Sequence, residues 1–188
     1  MEIRGWPLRP WEGWSIMANS GMLLTNIIHT RRNIQDYKDP YISQLDPGEI
    51  AICGVCNGVY TNHRWYLNEQ VDVRKLKNQP LYLTTCPACR KTRDNFPGGI
   101  VRLSGNFLKS HKKDIFNLVH NENERAMGIN PLERIIDIVS DGTDYIIQTT
   151  NEKLAQRIGR SIHKAYSGDV KFSWSEDNKL VRVTWQRE

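Results

Sequence analysis

The four cysteines are the side chains of this sequence best suited to chemistry, and they fall in two pairs. Cys53-x-x-Cys56 and Cys86-x-x-Cys89 are separated by twenty-nine residues. A two-residue spacer makes a tight knuckle in which both sulfurs converge on one side of an ion. Two knuckles supply four soft thiolates, the donor set of a closed tetrahedral Zn2+ site. Gly54 and Gly58 give the first knuckle room to turn, and Pro87 stiffens the second. The spacer exceeds the usual run of about fifteen to twenty residues, so a loop or hairpin must project between the knuckles. Four-cysteine iron–sulfur ligation is the alternative use of the same donors. A redox dithiol needs only one pair, usually at a helix start in a βαβ unit, and the sequence does not suggest that context. A closed site leaves no position for water or substrate, so one structural zinc ion is expected. No cysteine is left over, which points to metal use in a reducing compartment rather than a disulfide scaffold.

No other constellation reads as catalytic. His29, His63, His111, His120 and His163 show neither a metalloprotease spacing nor an obvious nucleophile partner. Gly98, Gly99 and Gly105 do not make a phosphate-binding loop, because the Gly-x-x-x-x-Gly-Lys pattern is absent. Glu122, Glu124 and Glu133 read as solvated helix carboxylates. The expectation is a binding protein and no enzyme.

Charge supplies the second signal. The formal net charge is +5 and the pI about 9.1. From Cys86 to Lys113 there are seven Lys/Arg against one acid, and from Asp114 to Asp144 seven acids against two bases. Lys153, Arg157, Arg160 and Lys164 step by four, three and four, which puts them on one narrow stripe of a helix. Leu154, Ile158 and Ile162 occupy a separate sector that faces a sheet. Arg90, Lys91 and Arg93 beside the second knuckle, with Lys109, Lys112 and Lys113 on a following helix, extend this into a candidate RNA-binding surface. Trp65, Tyr66 and Phe96 are either base-stacking groups or, as is commoner, the closure of a small zinc core.

The elements that must position these groups follow from pattern. Ile50–Ile52 and Val59–Tyr60 read as short strands flanking the first knuckle, Leu81–Leu83 as a strand before the second, and Ile100–Leu103 as a strand closing the metal module. Leu108, Ile115, Leu118 and Val119 share one helix face, and Gly128 to Pro131 break that helix. Pro131 suits the first turn of a second helix from Leu132 to Val139. Tyr145–Gln148 is a strand, and Thr149 with Glu152 forms a capping-box signature for a helix to Tyr166. Val170, Phe172 and Trp174 alternate, as do Val181, Val183 and Trp185 after a turn at Glu176–Asn178. The expected class is α+β: a zinc-ribbon-like module plus a strand–helix–strand–strand unit, with a three-stranded sheet and helices on one face. The domains expected are a flexible N-terminal arm at 1–45, a four-cysteine module at 46–103 and an α+β domain at 104–188. The arm carries Trp6, Trp11 and Trp14, and Met17 and Met22 are alternative starts.

These residues resemble a family. The two knuckles, a helical segment, and Phe172-Ser173-Trp174-Ser175-Glu176 followed by Leu180-Val181-Arg182-Val183-Thr184-Trp185 look like the N-terminal zinc-binding region of the large-ribosomal-subunit export adaptor family (nonsense-mediated decay protein three). Cys86-Pro87-Ala88-Cys89, Phe96-Pro97-Gly98-Gly99, Asn130-Pro131-Leu132-Glu133-Arg134 and Leu154-Ala155-Gln156-Arg157-Ile158-Gly159 look like a shorter prokaryotic branch of it. The resemblance spans residues 35–187 and implies a factor associated with rRNA or a ribosomal subunit. Longer members carry more cysteines and further domains, so only the zinc ligands Cys53, Cys56, Cys86 and Cys89 carry over.

The leading expectation is a zinc-stabilised RNA- or ribosome-binding protein, and the alternative is a zinc-ribbon protein–protein adaptor. The adaptor would dock through the acidic 114–144 stretch or the N-terminal tryptophans. No run of eighteen apolar residues occurs, so no membrane span is expected. The N-terminus lacks an apolar centre and a small-residue cleavage site, which leaves the cytoplasm as the expected location.

Overall fold

The structure is a computed structural model that describes residues 39–43, 45–46, 48–72, 80–175 and 180–188. These belong to one compact unit, Asp36–Glu188. The expected arm, with its three tryptophans, falls outside the described residues apart from 39–43 and 45.

Two sheets organise this unit. In the first, β1 (Ile50–Cys53), β2 (Val59–Thr61), β3 (Arg64–Tyr66) and β4 (Leu81–Thr84) take the order β3-β2-β1-β4. The β2–β3 hairpin turns on Asn62 and His63, both at positive φ, the conformation a two-residue turn needs to match strand twist. β4 returns parallel to β1, pairing Cys53 with Thr84. Helix α1 (Pro87–Arg93) starts directly on the second knuckle, with Cys86 as its N-cap and Pro87 at the first position.

The second sheet holds β5 (Gly99–Ser104), β6 (Ile135–Asp141), β7 (Asp144–Thr149), β8 (Asp169–Trp174) and β9 (Val181–Gln186), in the order β6-β7-β5-β9-β8. The α+β class and the strand–helix–strand–strand order of β7, α3, β8 and β9 agree with the sequence, but the sheet has five strands and not three. β5, expected to close the metal module, is the central strand, antiparallel to β7 and parallel to β9. The stretch expected as a helix from Leu132 to Val139 is mostly β6. Its β-branched Ile135, Ile136, Ile138 and Val139 crowd a helix but fit a pleated surface, and the Asp141–Asp144 hairpin pairs them with β7. A bulge between Ile135 and Asp137 blurs the alternation that would have revealed the strand.

Helices α2 (Asn106–Ile129) and α3 (Glu152–Tyr166) cover one face of this sheet. Val101, Leu103, Ile147, Val181, Val183 and Trp185 from the strands meet Leu108, Ile115, Val119, Leu154, Ile158 and Ile162 from the helices in one fully buried core. Each such side chain contributes about 1.5–3 kcal/mol by leaving water. α3 approaches closely because Gly159 sits over β9, where a Cβ would lie 2.5 Å from Val183 Cγ1. The cap of α3 is Asn151, whose Oδ1 accepts from the Leu154 amide at 3.1 Å. Thr149, expected as the cap, still belongs to β7 and donates its hydroxyl to the Asn151 carbonyl at 2.7 Å, because the chain needs two more residues to leave the strand. No helix among the described residues is long and apolar enough to cross a membrane.

Candidate metal centre and basic face

The knuckles meet because β1 and β4 are paired. β1 delivers Cys53 at its end and Cys56 in the turn that follows, while β4 leads into Cys86 and the start of α1 supplies Cys89. The four Sγ atoms all lie within 4.8 Å of one another, with Cys56 and Cys86 3.7 Å apart. Tetrahedral Zn–S bonds of about 2.3 Å require sulfurs about 3.8 Å apart, so the donor set fits one tetrahedral ion. Backbone amides already point at the sulfurs: Cys86 N donates to Cys53 Sγ at 3.3 Å, and Cys89 N to Cys86 Sγ at 3.4 Å. The second pair does sit at a helix start, contrary to expectation. However, β4 and β5 flank α1 in different sheets, so this is no βαβ redox unit, and Cys86 faces the first knuckle as well as its own partner.

Electrostatics match a cation-seeking cluster. The Cys56 thiol is held down to about 4, foremost by its hydrogen bond with Cys86, with the Gly58 amide and the Arg134 charge helping. Cys86 is pushed far above the thiol range by that same bond and by burial. Cys89 is pushed up to about 11, chiefly by burial, with neighbouring thiolates adding to it. Crowded buried sulfurs cannot all ionise on their own, and a divalent cation is what allows them to.

Arg134, just before β6, closes the cluster from the other sheet. Its guanidinium reaches Cys89 Sγ and Cys56 Sγ, both at 3.8 Å, so it touches one sulfur of each knuckle. Its Nε donates to the Pro131 carbonyl at 2.8 Å, and its backbone amide to Thr150 Oγ1 at 3.0 Å. Thr150 immediately precedes the cap of α3, which links the sulfur cluster to the helix bearing the basic stripe. Sequence reading missed Arg134, since it lies 78 residues from Cys56 and inside an acidic stretch.

Of the aromatic groups beside the cysteines, Trp65 is core, whereas Tyr66 is half-buried and Phe96 exposed. Trp65 is 4% exposed and packs with Tyr60, Ala51, Ala88 and the cysteines. Its indole nitrogen donates to Ser43 Oγ at 3.2 Å. Phe96 packs on Tyr41, with ring centroids 5.2 Å apart, and Arg64 lies over the Tyr66 ring at 5.5 Å.

The structure sorts the ten candidate RNA-contact residues. Lys153, Arg157, Arg160 and Lys164 line one open depression on the outer side of α3. Lys153 also borders a second hollow together with Lys91, which joins the start of α3 to α1. The cations of α1 are otherwise engaged. Arg90 donates to the Tyr41 carbonyl at 2.6 Å, Lys91 pairs with Asp39 at 2.8 Å, and Arg93 with Asp94 at 2.9 Å. Arg90 and Lys91 thereby hold Tyr41 and Asp39 against the helix. On α2, Lys109 bonds Asn106 at 3.2 Å, and Lys112 bonds the Tyr145 hydroxyl at 2.5 Å on β7, away from the strands α3 mainly covers. Lys113 is exposed. Arg157 is partly compensated by Glu133 at 3.6 Å. Lys153, Arg160 and Lys164 are therefore the cations that most shape the potential of α3. Two further residues lie beside them: Phe172 and Trp174 on β8. They share one face of β8, as their alternation in sequence indicates, and β8 is an edge strand.

No family model, no curated protein and no solved structure matches the chain significantly.

Proposed function

We propose that this chain is a zinc-stabilised RNA-binding protein of the cytoplasm, associated with rRNA or a ribosomal subunit, and not an enzyme. The observation that carries the reading is the gathering of Lys153, Arg157, Arg160 and Lys164 around one open depression of α3. A phosphate backbone is the partner such a row of cations suits, and the resemblance drawn from sequence agrees with it. One Zn2+ on Cys53, Cys56, Cys86 and Cys89 would neutralise two thiolate charges and fix the knuckles, with Arg134 offsetting one of the two that remain. That ion supplies structure and leaves no coordination position for substrate.

The test is salt-dependent binding of the full chain to rRNA. Affinity is expected to fall by about tenfold or more between about 50 and 200 mM salt. Lys153→Glu, Arg160→Glu and Lys164→Glu together are expected to abolish binding while metal content and circular dichroism stay unchanged. Binding that survives the triple change would refute the basic-face reading.

A second reading, a protein–protein adaptor, is favoured by one observation on the metal module. β4 is an edge strand whose Leu81, Tyr82 and Leu83 are 52%, 44% and 80% exposed, and Val55 in the knuckle turn is 69% exposed. Exposed apolar groups on a sheet edge suit strand addition by a partner. Leu81→Ser with Leu83→Ser separates the two readings, because it leaves RNA binding intact and removes an adaptor's contact.

A further inference from the structure

One acid faces the basic ridge from inside. Glu133, which reads in the sequence as a solvated carboxylate, is buried, with 8% of its side chain exposed. Its Oε2 lies 3.6 Å from Nη2 of Arg157, long for a hydrogen bond but within reach of a charge pairing that burial strengthens. Its other oxygen accepts from Asn130 Nδ2 at 3.4 Å. Glu133 is not free to swing away. Leu132 before it packs on the sulfur core, and Arg134 after it reaches Cys56 and Cys89. Thr150 holds both neighbours, donating its hydroxyl to the Leu132 carbonyl at 2.6 Å and its amide to the Arg134 carbonyl at 2.9 Å.

Arg157 answers to this acid more than to solvent. Its side chain is 33% exposed, and its Nη1 is buried without a hydrogen-bond partner among the described residues. Lys153, Arg160 and Lys164, the other cations of the depression, are exposed, and no ion pair engages them among the described residues. A carboxylate and a phosphate make the same claim on a guanidinium. Giving Arg157 to an RNA phosphate would leave Glu133 buried, charged and alone, which opposes the exchange. The three exposed cations give up only water. We infer that Glu133 is a built-in competitor for phosphate: it withholds Arg157, so the ridge binds RNA with three working cations and a fourth in reserve. This rests on the RNA-binding reading and adds a regulation to it. A shift of residues 132–134, which the sulfur cluster helps to hold, would bring the fourth cation into use.

The experiment measures affinity and its salt dependence for the full metal-loaded chain on an RNA hairpin with a stem of about ten base pairs. Arg160→Gln is expected to weaken binding about fivefold at about 100 mM salt, and Arg157→Gln by less than about twofold. Glu133→Gln, of nearly unchanged shape, should tighten binding about fivefold. It should also steepen the fall of log K with log salt by about 0.7–0.9, the mark of one more phosphate contact. Adding Arg157→Gln to Glu133→Gln should remove both gains. Glu152→Gln takes an equal charge from the start of the same helix, away from the Arg157–Glu133 pair, and should leave the slope as it was. Equal losses from Arg157→Gln and Arg160→Gln, or a Glu133→Gln gain that persists without Arg157, overturn the withholding and leave the RNA reading standing. Arg157→Gln alone strands the Glu133 carboxylate. Should that variant fail to fold, the Glu133→Gln chain with and without Arg157 still decides, since neither contains a stranded acid. If Arg160→Gln and Lys164→Gln together alter nothing, the RNA reading fails and this inference with it.

Discussion

At the residue scale, the sulfur cluster is a set of proton holders awaiting a cation. Cys86 and Cys89 lie above the ordinary thiol range, so at neutral pH both carry protons in the metal-free protein. Metal binding must displace those protons, and acid therefore opposes it. Zinc affinity is expected to rise from pH 6 to pH 8, with protons released on loading. Titration in weakly buffered solution measures this directly, and loading without proton release would contradict the arrangement. Arg134 carries its own expectation. Arg134→Met removes the only side chain outside the cluster seen to reach two of its sulfurs among the described residues, and should weaken metal retention about tenfold. Arg134→Lys should keep part of it by charge. Competition with a colorimetric chelator reads both, and charge-transfer bands of the cobalt-loaded protein should shift in the methionine variant. The cysteine pairs were legible in the sequence because each knuckle is written in four consecutive residues. Arg134 was not, because its meaning depends on a fold that brings residue 134 to residues 56 and 89.

At the element scale, α3 depends on its start and on its closest approach to the sheet. Asn151→Ala should cost about 1 kcal/mol in urea unfolding, the usual worth of a cap. Gly159→Ala should cost about 1–3 kcal/mol, since the added Cβ lies within 2.5 Å of Val183 and either helix or strand must move. α2 and α3 were legible because their apolar residues repeat at helical spacing over about seven and four turns of chain. β6 was not. Its seven residues carry isoleucines at positions compatible with either period, and a bulge breaks the alternation. The deciding influence is pairing with β7, which lies outside the local pattern. β5 was legible as a strand, but nothing in its own six residues says which strands it joins.

At the scale of the whole molecule, two cores share the work. One packs Tyr60 and Trp65 around the sulfurs, and the other holds α2 and α3 against the five-stranded sheet. Metal removal should therefore act unevenly. A strong chelator is expected to change the fluorescence that Trp65→Phe identifies as Trp65's own, while the far-ultraviolet dichroism of the helices persists. Simultaneous loss of both signals would mean that the cores are not separable. The fold class was legible from the run of strands and helices, and the charge stripe from spacing alone. The aromatic pair beside that stripe was not, because alternation tells which face a residue takes and not where the covering helix ends.

The central position of β5 bears on how the chain is made. Its partners are distant in sequence: Gly99 pairs with Thr149, fifty residues on, and with Val181, eighty-two residues on. At about 5–20 residues per second, Val181 follows Gly99 by about 4–16 s of synthesis. Throughout that interval the middle of the sheet has an unclosed side, while both cysteine knuckles have already emerged. Metal capture is then an early event and sheet closure a late one. A nascent chain stalled before Val181 would display β5 as an adhesive edge, ready to pair with whatever strand is nearest.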